Sequence, residues 1–489
     1  MASRRPPSAS RRGNSRPGGP GSSASHSQPS GTKPGHGNKG NRDNRRGQKE
    51  NTIASERKNS SFQAQPLRKK FRDEARPRSG SGDNAPRHEQ PGRPASAARR
   101  PPCPHYPDCY GCPFIGIPYE QQLDKKQAQV AAAFADYASL RSVTIPAPVA
   151  SVHRFGYRAR VKLAVQRIKG KPVIGLYRPE SHRVIDASVC PVHPRPVNAL
   201  VQTLKQLIEQ LGITPYDERH DIGQLRYLDI RYSFWQRRLL LTLVTRHMDF
   251  PQVRDLTREL RRLCPQLIGV VQNINDTPGR EGNSIWGQRF HPLRGRDSLL
   301  ERMGHLQLHS PADAFTQINP PVAHLLYQTV VDWAELSKER IALDLYCGIG
   351  PIALYLAGQA SLVVGIDDNT RAIRVAKENA RRNGYHNTRF FAGDAARQLR
   401  QTASQLARID CIVVNPPRAG LSSHAFAALE AVAAPRLVYV SCEPLSLARD
   451  LDHLGQAGYR VVKVQPFDMF PQTDKVETLV LIDRTGRTG

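Results

Sequence analysis

A lone thiol, a glycine-rich turn and a run of three cysteines are the features of this chain whose residue types and spacing could do chemistry. The thiol belongs to Cys442, in Leu437-Val-Tyr-Val-Ser-Cys-Glu-Pro444. A short apolar run rich in β-branched and aromatic residues stops at Ser441-Cys442, and Pro444 opens an amphipathic segment that reaches Ala457. That is the pattern of a buried strand followed by a helix. Open α/β sheets do their chemistry at the carboxyl ends of their strands. A cysteine there, beside a helix N-terminus that favours its thiolate, is a candidate nucleophile; the plainer reading is a buried structural cysteine.

The turn lies in Leu343-Asp-Leu-Tyr-Cys-Gly-Ile-Gly-Pro351, where Gly348 and Gly350 let the backbone reverse tightly and approach a ligand at a helix N-terminus. The third glycine of the dinucleotide fingerprint is missing. Asp367 ends the next strand, Val363-Val-Gly-Ile-Asp-Asp368, where a carboxylate can accept both hydroxyls of a ribose. With Gly393-Asp394 after a third strand and Asn415-Pro-Pro-Arg418 after a fourth, these residues describe an adenosyl pocket along one edge of a sheet. Separately, Cys103, Cys109 and Cys112 are spaced C-x5-C-x2-C in a turn-rich loop and can converge on one inorganic centre. Cys190, in a turn beside Pro191, is the natural fourth ligand. Zinc is the rival occupant and two disulfides a third choice.

The elements that must carry these groups follow from periodicity. After a helix over Asn319–Leu336, strands at 341–346, 361–367, 388–394, 409–415 and 436–442 alternate with helices at 351–358, 369–383, 395–406, 422–433 and 444–457. Strands at 459–467 and 475–482 close the chain, the last running antiparallel because the loop before it is short. The alternation predicts an α/β fold with a parallel sheet covered on both faces. Between about 150 and 300, Arg160-Val-Lys-Leu-Ala-Val-Gln166, Leu228-Asp-Ile-Arg-Tyr232 and Arg238-Leu-Leu-Leu-Thr-Leu-Val244 alternate apolar and polar, which predicts antiparallel strands with one solvated face. Helices are expected at 120–138, 196–211 and 250–263. Tyr157, Arg158, Arg160, Arg226, Tyr227, Arg231 and Tyr232 interleave cations with aromatic rings and suit an RNA face.

Charge points to the same partner. The net charge is +28, of which residues 1–100 contribute +16 through 23 Lys and Arg against 7 Asp and Glu. Such an excess suits a polyanion, nucleic acid first, with a solubilising bias as the alternative. Residues 1–102 are rich in Arg, Gly, Ser, Pro and Asn and cannot bury enough to offset their ordering entropy, so a disordered basic tail is expected there. No apolar run approaches the ~20 residues of a membrane span, and no export signal is read at the N-terminus. Eight cysteines without the dense spacing of a secreted scaffold indicate a reducing, cytoplasmic setting.

Taken together, these residues resemble the S-adenosylmethionine-dependent RNA uracil-C5 methyltransferases, in particular the iron–sulfur bacterial branch that acts on 23S ribosomal RNA. The likeness covers about residues 103–489. It rests on the C-x5-C-x2-C loop with Cys190, Tyr157-Arg158, Phe315-Thr-Gln-Ile-Asn319, Asp344-Leu-Tyr-Cys-Gly-Ile-Gly350, Asn415-Pro-Pro-Arg-Ala-Gly420, Ser441-Cys442 and Val476-Glu477-Thr478. The resemblance implies a Rossmann-like, seven-stranded class I methyltransferase domain over 311–489, preceded by a mixed α+β iron–sulfur and RNA-binding domain over 103–310. Gln317, Tyr346, Asp367 and Asn415, with the Gly348 and Gly350 turn, would hold S-adenosylmethionine, with Asp394 near the adenine. Cys442 would be the nucleophile and Glu477 the general base. A 4Fe–4S cluster on Cys103, Cys109, Cys112 and Cys190 would be structural or RNA-orienting, since uracil methylation needs no electron. The partner would be RNA, with 23S rRNA expected, no membrane, and the chain a monomer.

Two positions depart from the family: Asn415 stands where most members carry Asp, and Pro351 where they carry Asn. The small N-terminal RNA-binding barrel (TRAM) of some members is missing, and the basic tail stands in its place. Competing readings are a tRNA uracil-C5 methyltransferase and an amino-methyltransferase, whose Asn-Pro-Pro motif continues with an aromatic residue where this chain has Arg418. A third is a non-catalytic ribosome-assembly factor. Cys264, Cys347 and Cys411 are expected to be small core residues.

Overall fold

The computed structural model describes residues 103–278 and 284–485, so the tail expected over 1–102 lies outside the described residues. Pro118 precedes α1 (Tyr119–Ala135), whose Tyr119, Gln122, Lys126, Val130, Ala133 and Phe134 recur at helical spacing and are buried. Val130, Ala133 and Phe134 share a core cluster with Leu447, Ala448 and Leu451, so the first helix is packed on the last part of the chain.

A first sheet is then built from β1 (Arg160–Ile168), β2 (Lys171–Tyr177) and β3 (Val184–Asp186). Beyond α2 (Arg195–Gln210) come β4 (Leu225–Ser233), β5 (Arg238–Thr245), α3 (Val253–Leu263), β6 (Leu267–Ile274) and β7 (Arg289–Gly295). The strand order is β3-β2-β1-β4-β5-β6-β7. Neighbours are antiparallel except β5 and β6, which run parallel because α3 carries the chain back across the sheet.

The expectation of one solvated face fails for the central strands. On one side Leu228, Ile230, Leu241 and Leu243 pack in a core shared with α2 and α3. On the other, Leu240 and Val271 meet Ala312 and Leu299. The polar residues of β4 are therefore buried rather than offered to RNA. Asp229 accepts a fork from Arg160, 3.1 Å from Nε to Oδ1 and 2.7 Å from Nη2 to Oδ2. Arg231 donates to Ser310 Oγ at 3.0 Å and to the Ala314 carbonyl at 2.6 Å. Arg226 donates to the carbonyls of Asn275 at 3.0 Å and Thr277 at 2.6 Å. Tyr157 is buried too, its hydroxyl donating to the Pro471 carbonyl at 3.0 Å. These side chains satisfy backbone acceptors that would otherwise be buried without partners. Of the expected RNA face, only Arg158, Tyr227 and Tyr232 keep partial exposure without serving such a role.

A hairpin of β8 (Ser298–Met303) and β9 (Leu306–Pro311) leads to α4 (Pro320–Ala334). The chain then alternates: β10 (Ile341–Leu345), α5 (Pro351–Ala357), β11 (Leu362–Asp367), α6 (Thr370–Arg382), β12 (Thr388–Ala392), α7 (Ala395–Ala403), β13 (Cys411–Val414), α8 (Ser423–Val432), β14 (Arg436–Ser441), α9 (Pro444–Gln456), β15 (Tyr459–Phe467) and β16 (Glu477–Arg484). The second sheet has the order β12-β11-β10-β13-β14-β16-β15. Its first five strands are parallel, and β16 is antiparallel to both neighbours, as expected from the short last loop. The inner parallel strands are apolar on both faces because helices cover both. Cys411 and Val413 belong to one core cluster, Ile412 and Val414 to the other. The strand order reverses between β11 and β13, on either side of β10, which opens a crevice at the carboxyl ends of these strands.

Candidate active site

The crevice begins where β10 ends. Asp344 is fully buried; its Oδ2 accepts from the Ala353 amide at 2.9 Å, which ties the strand to the start of α5, and its Oδ1 has no partner among the described residues. Burial pushes this carboxyl up to about 8. Tyr346, Gly348 and Gly350 all take left-handed backbone, with φ of 63°, 55° and 85°, and so reverse the chain in five residues. Pro351 sits at the first helical position of α5, where its missing N–H removes nothing. A Cβ added at Gly348 would meet no atom within 4 Å, so its bare Cα faces open space.

The Gly348 amide donates to Asp367 Oδ2 at 2.8 Å, while Asp367 Oδ1 accepts from Asn369 N at 2.9 Å. The carboxylate is thus aimed into the turn from the end of β11, and burial raises it. One cavity is lined by Gln317, Tyr346, Gly348, Pro351 and Asn415, and the adjoining one by Asp367 and Asn369; Phe315, Gly348 and Ile349 belong to both. Five candidate residues, Gln317, Tyr346, Gly348, Asp367 and Asn415, therefore meet in one cleft. Gly350 turns behind it, where a Cβ would press at 3.2 Å on Ala376 and Phe390. Asp394 caps α7 by accepting from Arg397 N at 2.9 Å and lies within electrostatic reach of Tyr346, outside both cavities.

Cys442 follows β14 directly and is half-buried, two residues before Pro444 opens α9. Ser441 pairs with Thr478 across the antiparallel β14 and β16 ladder, which brings Glu477 to the same lip of the sheet as Cys442. Glu477 is only 3% exposed, and burial pushes its carboxyl up to about 7, opposed by the Arg418 guanidinium. The thiol of Cys442 is also raised, by burial first and the Glu477 carboxylate second, with Arg418 again opposing through charge and a hydrogen bond. The expectation that the helix N-terminus would favour a thiolate is thereby corrected. Desolvation and a neighbouring anion outweigh it, and the resting form is the thiol. Arg418 is the residue sequence reading passed over, having weighed it only as a missing aromatic ring. A cation one loop away from a nucleophile on the next strand was the available signal.

The four cysteines Cys103, Cys109, Cys112 and Cys190 line one cavity together with Arg158 and Lys162. Their thiols act on one another, and burial foremost pushes Cys112 up to about 12 and Cys190 up to about 11. All eight cysteines are free, so the disulfide alternative fails. Among the described residues no group of three or more His, Cys, Asp or Glu is arranged to hold a metal ion. Cys347 and Cys411 are buried as expected, whereas Cys264 ends α3 partly exposed. Among the described residues no helix is long and apolar enough to cross a membrane.

Comparison with known proteins bears on this geometry. A family model for tRNA (uracil-5-)-methyltransferase matches residues 297–485. An RNA methyltransferase of Geobacter sulfurreducens is 38% identical over 383 residues, covering 78% of this chain and 77% of the relative. One of Clostridium tetani is 32% identical over 393 residues, covering 80% of this chain and 85% of the relative. Among solved structures, the tRNA (uracil-54, C5)-methyltransferase of Pyrococcus abyssi, in complex with S-adenosyl-L-homocysteine, superposes with a TM-score of 0.61 at 26% identity. The match covers 77% of this chain and 86% of that one.

Proposed function

The chain belongs to the RNA uracil-C5 methyltransferase family, and from that premise we propose how its own residues carry out the reaction and on which RNA. The enzyme transfers a methyl group from S-adenosylmethionine to uracil in RNA. We infer that it does so through a covalent bond between Cys442 and C6 of the base. The observation that carries this reading is the placement of Cys442 and Glu477 side by side at the lip of the sheet, next to the cleft of Gln317, Tyr346, Asp367 and Asn415.

S-adenosylmethionine, when bound, supplies a methyl group made electrophilic by its sulfonium. The cleft suits it: Gly348 presents open space, Asp367 offers a carboxylate to a ribose, and Gln317, Tyr346 and the Asn415 amide surround what lies between. Asp394, by the resemblance, would lie near the adenine. C5 of uracil is a poor nucleophile on its own. Once the Cys442 thiol has lost its proton to solvent, addition of the thiolate to C6 moves the C5–C6 pair of electrons toward O4, and the resulting enolate carbon would take the methyl, with S-adenosylhomocysteine as the leaving group. The Glu477 carboxylate then accepts the C5 proton, the double bond re-forms, and the Cys442 sulfur leaves. Arg418 supports both anions, whose proximity otherwise disfavours each. Reaching so recessed a thiol requires the uridine to leave its stack, which favours a loop or a single-stranded target.

Cys103, Cys109, Cys112 and Cys190, which line one cavity, would hold a 4Fe–4S cluster, with zinc as the alternative occupant; the group would order the loop and the adjacent RNA surface. Iron and acid-labile sulfide in a ratio of four each per chain are expected in anaerobically purified protein, and zinc in their place would overturn the assignment. The cysteine set favours 23S rRNA as substrate. Mapping 5-methyluridine in a deletion strain should show its loss from one 23S position; loss from tRNA instead would replace that target. The assembly-factor alternative lapses with membership of an enzyme family, and the amino-methyltransferase alternative with the uracil-C5 family itself.

A further inference from the structure

Glu477 reaches the site at the end of the hairpin loop 468–476, which begins after Phe467 and ends where Glu477 pairs back with it. A loop of this length has many conformations of its own. Here it is held from outside by side chains of α1. Asp468, fully buried, accepts from the Tyr119 hydroxyl at 2.7 Å on Oδ2 and from the Lys126 ammonium at 2.5 Å on Oδ1. The same ammonium donates to the Phe470 carbonyl at 3.0 Å. One helical turn earlier, Gln122 trades two hydrogen bonds with Gln472: its Nε2 donates to Gln472 Oε1 at 3.0 Å and its Oε1 accepts from the Gln472 amide at 3.0 Å.

Gln472 has φ of 71°, a left-handed conformation that a residue with a side chain keeps only where its surroundings insist. Its carbonyl accepts from Phe114 N at 3.0 Å, and Gln122 donates to the Phe114 carbonyl at 3.1 Å, so the cysteine loop shares the clamp two residues beyond Cys112. Tyr119, Gln122 and Lys126 lie on one face of α1 and send their polar atoms to this loop and its immediate supports. Apolar packing would stabilise the contact about as well. Directional hydrogen bonds from buried groups fix one arrangement of the loop against others.

We propose that Gln122 and Lys126 of α1 are positioning residues for the general base, holding the 468–476 loop so that the Glu477 carboxylate stays on the Cys442 side of the sheet. This rests on the covalent mechanism above. Neither residue lines the cofactor cavities, and both act through the loop.

In that mechanism methyl transfer precedes proton removal, so a misplaced base stalls the enzyme with methylated RNA still attached to Cys442. Gln122→Ala removes the amide exchange and is expected to lower turnover about a hundredfold. Denaturation-resistant RNA–protein adduct should accumulate on a gel, and S-adenosylhomocysteine affinity by calorimetry should remain that of the wild type. Wild-type turnover would overturn the proposal. So would a slowed variant whose adduct formation and cofactor affinity fall in proportion, since that marks a loosened fold. If Gln122→Ala does not fold, Gln122→Glu, which keeps the acceptor for the Gln472 backbone N–H and loses the donor to the Gln472 side chain, decides the matter by the same readouts. A wild-type enzyme that methylates RNA and never yields an adduct, even with 5-fluorouridine, overturns the covalent mechanism and this inference with it.

Discussion

Cys442→Ala is expected to abolish methyl transfer to RNA, by on the order of 10⁴-fold or more, because the group removed creates the carbon nucleophile rather than assisting it. Without addition at C6 the pyrimidine keeps its double bond, and proximity to a methyl donor cannot replace the missing electron density at C5. Cys442→Ser should fail nearly as badly, since a hydroxyl ionises far less readily than a thiol that burial has already raised. The side chain is half-buried at the end of β14 and outside the cofactor cavities, so the variant should fold and bind S-adenosylhomocysteine as the wild type does. RNA carrying 5-fluorouridine provides the complementary measurement: fluorine at C5 cannot leave as a proton does, so the wild-type protein should be trapped at Cys442 and the alanine variant should not. Methyl transfer by Cys442→Ala at even a hundredth of the wild-type rate would exclude the thiol as nucleophile.

Much of this site was legible before any coordinate was known, for a physical reason. Parallel strands buried on both faces read as short apolar runs, and what ends such a run sits at the lip of the sheet; Asp367, Asn415 and Cys442 were found that way. Gly348 and Gly350 announced a backbone reversal, and both take positive φ. Two things escaped. Period alone does not reveal what lies on the polar side of an alternating strand, so Arg226 and Arg231 looked like an RNA surface. They are instead spent on carbonyls of segments that cover the sheet. A helix far away in sequence also cannot be seen to brace a loop near the opposite end, and the bond from Lys126 to Asp468 spans 342 residues. Ionisation was the third blind spot. The thiolate expected from a helix N-terminus ignored a carboxylate that only the β14 and β16 register brings beside it.

That carboxylate carries the second large effect. Glu477→Gln keeps the shape of the residue and removes its ability to accept the C5 proton, so turnover should fall by on the order of 10²–10⁴-fold while the adduct with ordinary uridine RNA accumulates. A shared activation of Cys442 would give the opposite result, slower turnover with less adduct. The wild-type rate should rise with pH through about 7, as Glu477 loses its proton, and rise further as the Cys442 thiol ionises above its usual range. The same shift has a cost in stability whose sign can be fixed. Burial raises the folded-state value from 4.5 to about 7, so between these two values the unfolded chain is ionised while the folded chain holds the proton. Stability therefore falls as pH rises through that window, and the loss is complete above it, at about 3 kcal/mol. A glutamine carries no such burden. Urea unfolding should find Glu477→Gln more stable than the wild type by up to about 3 kcal/mol near pH 8 and by much less near pH 5. An inactive variant whose advantage were equal at both pH values would mean that the buried carboxyl is not the group being desolvated. A variant that turned over normally would remove Glu477 from the reaction.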